Sequence, residues 1–440
     1  MSLSNDFREF CENELSMTDD EWEKWENRLK EITKQLNRKY YSLDELDDQE
    51  TDNGLIVGSI GRMTAVRNVS DFDYIFTLPS EVYRRFDNYE GNGQSALLQE
   101  IKNELLKRYP DTNIKGDGQV VVIDFSDGRK IELVPAFEQP DGSFIYPDSH
   151  KEGSWGTTKP KLEIEKCKSL NLNFNNHFSN LTRLMRRWKN HTGFSFKGLL
   201  IDTLISDFID DKGISEIYYS DYNILLKDIF EYFSNQDRNR EYWYALGSNQ
   251  KIYNNDGAKF INKAKKALKR IEDASEEELT EVYRRLFGRQ FAKSSSTINR
   301  AANEEFIDEL FNIDIQYNII LECEITQNGY RRAFLSDFLK KGYKIKSKKS
   351  LDFKIIKSNI PDEYRRKIKY YWKVRNIGNE AIKRKCERGD IIEDEIEHHE
   401  DSQFEGDHYV ECYAVLDNTV IARDRITVPI DPLNGKDYAF

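Results

Sequence analysis

Apolar positions along this chain repeat with two different periods, and the change of period divides it. Over MTDDEWEKWENRLKEITKQLNRKYY, Trp22, Trp25, Leu29, Ile32 and Leu36 share one stripe, and the spacing predicts a helix. Thr18 and Glu21 stand where a capping box would open it, with acidic residues in the first turn. Four short runs come next, GLIVGSIG, DFDYIFTL, QVVVIDF and KIELVPAF, and their composition predicts strands. Between the second and third lies SALLQEIKNELLKRY, an amphipathic helix. The DGR at 127–129 reads as the hairpin turn between the third and fourth. A mixed sheet with a helix against it is the natural sum.

From about 160 to 310 the pattern is helical, through NHFSNLTRLMRRWKNH, FKGLLIDTLISDFIDD, NILLKDIFEYFSN, AKFINKAKKALKRIEDA and EEELTEVYRRLFG, with a loop at KSSSTINRAANEEF. After about 312 strand-like runs return: YNIILECEI, LDFKIIKS, IKYYWKVRNIG, HYVECYAVL and NTVIARDRITVPI. The last three are read as parts of a β-sandwich. RGDIIEDEIEHHEDSQFEGD is read as an acidic loop. The expected organisation is α/β (α+β): an N-terminal helical brace over 1–45, a sheet over 46–165, a helical half over 166–311 and a small β-rich domain over 312–440.

Composition narrows this little. Of 440 residues 38% are hydrophobic and 12% aromatic, enough for packed cores and against global disorder. The net charge of −12, with both signs mixed throughout, excludes a bulk nucleic-acid binder. Cys11, Cys167, Cys323, Cys386 and Cys412 show neither zinc spacing nor a disulfide framework. No apolar run reaches transmembrane length and the N-terminus has no signal-peptide core, so the expectation is a cytoplasmic protein with reduced thiols and no membrane partner. Lys263, Lys265, Lys266, Lys269 and Arg270 read as a solvated basic face, and Trp372 as sandwich packing. No serine or cysteine nucleophile arrangement emerges.

The chemistry gathers at GSIGRMTAVRNVSDFDY. Alternation puts Asp71 and Asp73 on one face of a strand and Phe72 and Tyr74 on the other. Two acids so placed repel, and burying them is costly without a cation. Surface alternation is the ordinary reading of a bare DxD; the alternative is a magnesium site, which takes one or two carboxylates plus substrate phosphates. Glu132, between Ile131 and Leu133 in KIELVPAF, is the candidate third acid. Asp124 in VVIDF is read as a solvated strand end. Upstream, Gly58 lets backbone approach a phosphate closely, and Ser59 offers its hydroxyl and N–H.

Gly-Ser, then DxD, then a distant acid before Val-Pro-Ala resembles the polymerase-β-like nucleotidyltransferase superfamily. More narrowly, GSIGRMTAVRNVSDFDY and IELVPAF are similar to the bacterial cGAS/DncV-like nucleotidyltransferases. GSWGTTKPK, LMRRWK and FSFKGLLIDTL resemble later segments of that family, and the chain from about 315 resembles a sensor domain found behind some members. The resemblance implies a polymerase-β-like core and a metal-dependent enzyme that joins NTPs, ATP among them, into a cyclic oligonucleotide second messenger, releasing pyrophosphate, in anti-phage signalling. It implies two Mg²⁺ ions, or Mn²⁺, on Asp71, Asp73 and Glu132. Gly58, Ser59, Arg186 and Ser195 would contact the nucleotide. A downstream effector would bind the product, and the C-terminal domain would take a ligand of its own. Two alternatives stay open: a nucleotidyltransferase making linear oligonucleotides or modifying a protein, RNA or small molecule, and a non-catalytic nucleotide sensor.

Overall fold

The computed structural model describes residues 2–43, 49–69, 71–292, 304–326, 331–341, 343–346, 349–376, 381, 384, 386, 388–402, 406 and 408–431. It forms two compact units, one of residues 1–191 with 196–293 and the other of 192–195 with 294–440.

The first unit opens with helix α1 (Leu3–Phe10), a π-turn (Cys11–Leu15) and the long α2 (Asp19–Tyr40). Thr18 caps α2 as its sequence predicts, in a full capping box with Glu21. Trp25, Leu29, Ile32 and Leu36 are buried, whereas Trp22, at the end of the same stripe, is 38% exposed. Strand β1 (Gly54–Ile56), the one-turn helix α3 (Gly58–Gly61) and strand β2 (Asp71–Thr77) come next. Then come α4 (Ser80–Asp87), α5 (Gly93–Arg108), β3 (Asn113–Asp117), β4 (Val120–Asp124), β5 (Lys130–Glu138), β6 (Phe144–Asp148) and β7 (Ser154–Thr158). The strands make one sheet in the order β1-β2-β5-β4-β3, extended from β5 by β6 and β7. The turn between β4 and β5 falls at Asp127–Arg129 as read, with Phe125 N–H donating to the Arg129 carbonyl.

Strand alternation sorts this sheet into two faces. Phe72, Tyr74 and Phe76 of β2 and Ile131 and Leu133 of β5 pack with Trp25, Leu29, Ile32 and Leu36 of α2 and Leu97, Leu98, Ile101 and Leu105 of α5. The opposite face carries a smaller cluster of Val57, Ile75, Ala136 and Phe144, with Ile164 packed against it. The acids of β2 and β5 share that second face.

The helical half comprises α6 (Pro160–Asn173), α7 (His177–Thr192), α8 (Gly198–Lys212), α9 (Tyr222–Ser234), α10 (Lys259–Glu272) and α11 (Leu279–Phe287). It is not purely helical: β8 (Tyr242–Tyr244) and β9 (Lys251–Tyr253) form a hairpin that buries Trp243 and Ile252 and leaves Tyr244 and Tyr253 outside.

The second unit is strand-rich. It contains α12 (Ile307–Leu310), β10 (Asn312–Ile313), β11 (Ile319–Thr326), β12 (Ala333–Phe334), α13 (Leu335–Lys341), β13 (Ile345–Lys346), β14 (Ser350–Ser358) and β15 (Lys369–Asn376). It continues through β16 (Arg388–Asp394), β17 (Glu397–Asp401), β18 (His408–Leu416), β19 (Thr419–Val428) and β20 (Ile430–Asp431). A sheet ordered β10-β19-β18-β15-β16 faces one ordered β12-β11-β14-β17. Cys323, Leu351 and Phe353 of the second meet Trp372, Val410, Cys412 and Val428 of the first in one core, which makes the unit a sandwich.

One expectation is overturned here. Most of the acidic stretch read as a loop is strand: 388–394 joins β15 and 397–401 joins β14. Both are edge strands, where charged side chains block further pairing. Residues 403–405 and 407 of that stretch, 293–303 of the expected loop at KSSSTINRAANEEF, and 377–380 lie outside the described residues.

Candidate active site

The three acids read from the sequence lie on two neighbouring strands. β2 and β5 run parallel, and in their register Asp71 stands opposite Lys130 and Asp73 opposite Glu132. Adjacent strands lie about 4.8 Å apart, so Asp73 and Glu132 rise side by side from one face. All three acids are half-buried, while Phe72, Ile131 and Leu133 between them are fully buried on the other face.

The Gly-Ser turn meets these acids directly. Gly58 has φ +64, and a Cβ there would fall 1.7 Å from Asp73 Oδ2 and 2.6 Å from its Cγ. Only glycine leaves room for the carboxylate against its Cα, and only glycine takes this backbone conformation without strain. The backbone places the two segments side by side as well: Val57 N–H donates to the Asp73 carbonyl at 3.0 Å. The carbonyl of Ser59, next in line, accepts from the N–H groups of Thr64 (2.8 Å) and Ala65 (3.0 Å), which folds the chain back behind it.

Among the described residues no three His, Cys, Asp or Glu side chains already stand in metal-holding geometry. The donor set nonetheless fits magnesium, which prefers oxygen and takes only one or two protein carboxylates, filling its octahedron with phosphate oxygens and water. Asp71, Asp73 and Glu132 are the residues that would hold it.

Behind the turn lies an ion cluster that sequence reading missed. Asp202, on α8 and fully buried, accepts from Arg186 Nη1 (2.6 Å) and Nη2 (2.8 Å), from Arg62 Nε (2.9 Å) and from Thr64 Oγ1 (3.1 Å). Arg62 Nη1 also reaches Glu163 of α6 at 3.4 Å, and Ser248 Oγ donates to the other Glu163 oxygen at 2.9 Å. Burial pushes the Asp202 carboxyl up, but the guanidiniums of Arg186 and Arg62 outweigh it and hold it below its usual value. At Glu163, with only the longer contact to Arg62, burial prevails and the carboxyl is raised. A signal was present: Asp202 is a lone acid in the apolar run LLIDTLI.

Arg186 is a member of this cluster. Its guanidinium is engaged by Asp202 and by the Gly198 carbonyl (3.0 Å), and its surface is 5% exposed. In this arrangement it is an internal counter-ion of Asp202. Ser195 falls in the short segment that groups with the second unit, where its Oγ accepts from Asn318 Nδ2 at 2.8 Å. Asp124 ends β4 half-exposed, accepting from Asn113 Nδ2 at 3.2 Å, as a solvated strand end should.

Residues 1–171 match the Second Messenger Oligonucleotide or Dinucleotide Synthetase domain, and residues 301–431 match the Adenylyl/Guanylyl and SMODS C-terminal sensor domain. The chain therefore carries a second-messenger synthetase domain over its first part and a sensor domain over its last. Its paired acids and Gly-Ser turn lie in the first matched domain, and the sandwich lies in the second. A curated relative, a probable cyclic nucleotide synthase of Bacillus cereus (strain VD146), is 22% identical over 214 residues; the match covers 42% of this chain and 63% of the relative's length. Among solved structures, CdnC of E. coli MS115-1, determined with ATP, is 17% identical and matches with a TM-score of 0.49 over 66% of this chain and 98% of its own. DncV of Vibrio cholerae, in its apo form, is 12% identical with a TM-score of 0.47 over 65% and 96%. Among the described residues no helix is long and apolar enough to cross a membrane.

Proposed function

We propose that this chain is a metal-dependent nucleotidyltransferase that joins NTPs into a cyclic oligonucleotide and releases pyrophosphate. The observation that carries the reading is the convergence at Asp73: Glu132 stands opposite it in register, and Gly58 lies against its carboxylate. Asp71, Asp73 and Glu132 present oxygen donors along one face. Gly58 and Ser59 bring backbone and hydroxyl close enough to meet a triphosphate beside those donors. Bound divalent metal, Mg²⁺ or Mn²⁺, supplies charge neutralisation to the triphosphate and a lower pKa to the acceptor hydroxyl. That hydroxyl attacks the α-phosphorus in line, the bond to the bridging oxygen breaks, and pyrophosphate leaves. The chain's own contribution is placement, which is worth most when the reacting atoms are held before reaction. A second round on the linear intermediate closes the ring.

The B. cereus relative, named a probable cyclic nucleotide synthase, supports this choice among nucleotidyl transfers. A role in anti-phage signalling from the cytoplasm, with an effector reading the product and a ligand acting on the sandwich domain, belongs to the same proposal. The test is incubation of the full chain with labelled NTPs and Mg²⁺ or Mn²⁺, then phosphatase and mass spectrometry. A phosphatase-resistant small product is expected. A phosphatase-sensitive oligomer, or label carried by a macromolecule, would replace cyclisation with one of the other transfers.

A further inference from the structure

We infer that Arg62, Thr64 and Asp202 are positioning residues, a buried tether that fixes the Gly58–Ser59 turn against Asp73. The inference rests on the nucleotidyltransferase reading and adds to it the residues that hold the cradle in place.

The turn has little holding power of its own. α3 is a single turn, closed by Gly61 N–H on the Val57 carbonyl (3.0 Å) and Arg62 N–H on the Gly58 carbonyl (3.2 Å). Residues 62–65, directly after it, are fastened one by one to α6, α7 and α8. Arg62 sends its side chain to Asp202 and Glu163, and Thr64 sends its hydroxyl to Asp202. The carbonyls of Met63 and Ala65 accept from Arg183 Nη2 and Nε of α7, each at 2.9 Å. Thr64 and Ala65 in turn donate their N–H groups to the Ser59 carbonyl. The path from α8 to the turn is therefore continuous: Asp202, Thr64, Ser59, with Arg62 in parallel.

The charges fix which groups the tether joins. Asp202 has four donors on two oxygens, and Arg186 supplies two of them. Arg62, with its planar fork, reaches Asp202 on α8 through Nε and Glu163 on α6 through Nη1, a fixed two-nitrogen geometry that a single ammonium does not reproduce. Removing Asp202 would leave two buried guanidiniums facing each other, so the informative variants are those that keep the charge balance. Arg62→Lys keeps the cation and loses the fixed two-nitrogen geometry. Thr64→Val keeps the volume and removes one hydrogen bond to Asp202.

The experiment uses the full chain and two readouts, amide hydrogen exchange over residues 57–65 and the dissociation constant for Mg-ATP, with thermal melting to establish that each variant is folded. In Arg62→Lys, exchange over 57–65 should quicken by about tenfold or more while β2 stays protected, and Mg-ATP binding should weaken by about tenfold. Thr64→Val should shift both in the same direction by less. A merely structural role would lower the melting temperature without moving the dissociation constant of the folded protein, and that result overturns the inference. So does unchanged exchange over 57–65. If the wild-type chain binds neither Mg-ATP nor any other common NTP, the nucleotidyltransferase reading itself fails, and the inference fails with it.

Discussion

Asp73 and Phe72 are neighbours in sequence and opposites in function. Asp73→Asn removes one negative charge from the acid face and leaves the core untouched, so nucleotide incorporation should fall at least about 100-fold, or ~2.7 kcal/mol of barrier. The melting temperature should hardly move; mass-spectrometric product counting beside a melting curve checks both. Phe72→Ala does the reverse. Its ring is fully buried and packs 4.8 Å from the Trp25 ring, and its loss should cost about 3–5 kcal/mol in denaturant unfolding. Gly58→Ala joins both defects, since the new Cβ meets the Asp73 carboxylate and the backbone sits at positive φ; activity should be lost along with about 1–2 kcal/mol of stability. These residues were legible because each breaks a local expectation: acids in an apolar strand, a glutamate between isoleucine and leucine, a glycine before a serine. Asp202 was legible only in part. The sequence shows an acid in an apolar run, but its partners Arg62 and Thr64 are 140 and 138 residues away, and pairing over that distance leaves no periodic trace.

At the scale of elements, long amphipathic helices and alternating strands were read with little error, because burial of one face imposes a period. The acidic stretch failed for a physical reason. β16 and β17 carry so many acids that they read as solvent-exposed loop, yet an edge strand is where such charge belongs. They also frame an ion clamp between the two sheets. His398 on β17 is buried against the Trp372 ring, its Nδ1 meeting Asp394 at 2.8 Å and its Nε2 meeting Glu400 at 3.0 Å. Arg388 closes the other side of Glu400 with contacts of 2.7 and 2.8 Å. Burial works against the imidazolium, but Glu400 and Asp394 overcome it and raise His398 above its ordinary 6.5. Glu400, despite burial, is drawn down to about 2 by His398 and Arg388. The clamp's histidine share is therefore complete below about pH 6.5 and is lost as pH rises through the raised folded value. Its Glu400 share is complete above an ordinary 4.5 and is lost as pH falls toward 2. Melting monitored by strand-sensitive circular dichroism should show His398→Gln losing stability relative to wild type at pH 5–6, with the gap narrowing on the alkaline side.

For the whole molecule, the two matched domains are separated by residues 172–300, where most of the helical half lies. Chelation offers the global test. Stripping divalent ions should abolish turnover, and Mg²⁺ or Mn²⁺ should restore it. Adding the ion together with ATP should raise the melting temperature of wild type and not of Asp73→Asn, since only a chain that grips both gains from them. The direct bonding of β2 to β5 has a further consequence for how freely this protein can be rebuilt. The spacing of Asp73 and Glu132 is set by one ladder of hydrogen bonds, not by the stretch from Leu78 to Arg129 that connects them. A reporter grafted at Tyr89–Gly91 or at Asp127–Gly128 leaves that ladder alone. Deleting one residue inside β5 turns its pleat over and puts Ile131 or Leu133 where the carboxylate belongs, so tolerance to insertion in the β4–β5 turn should end abruptly at Lys130.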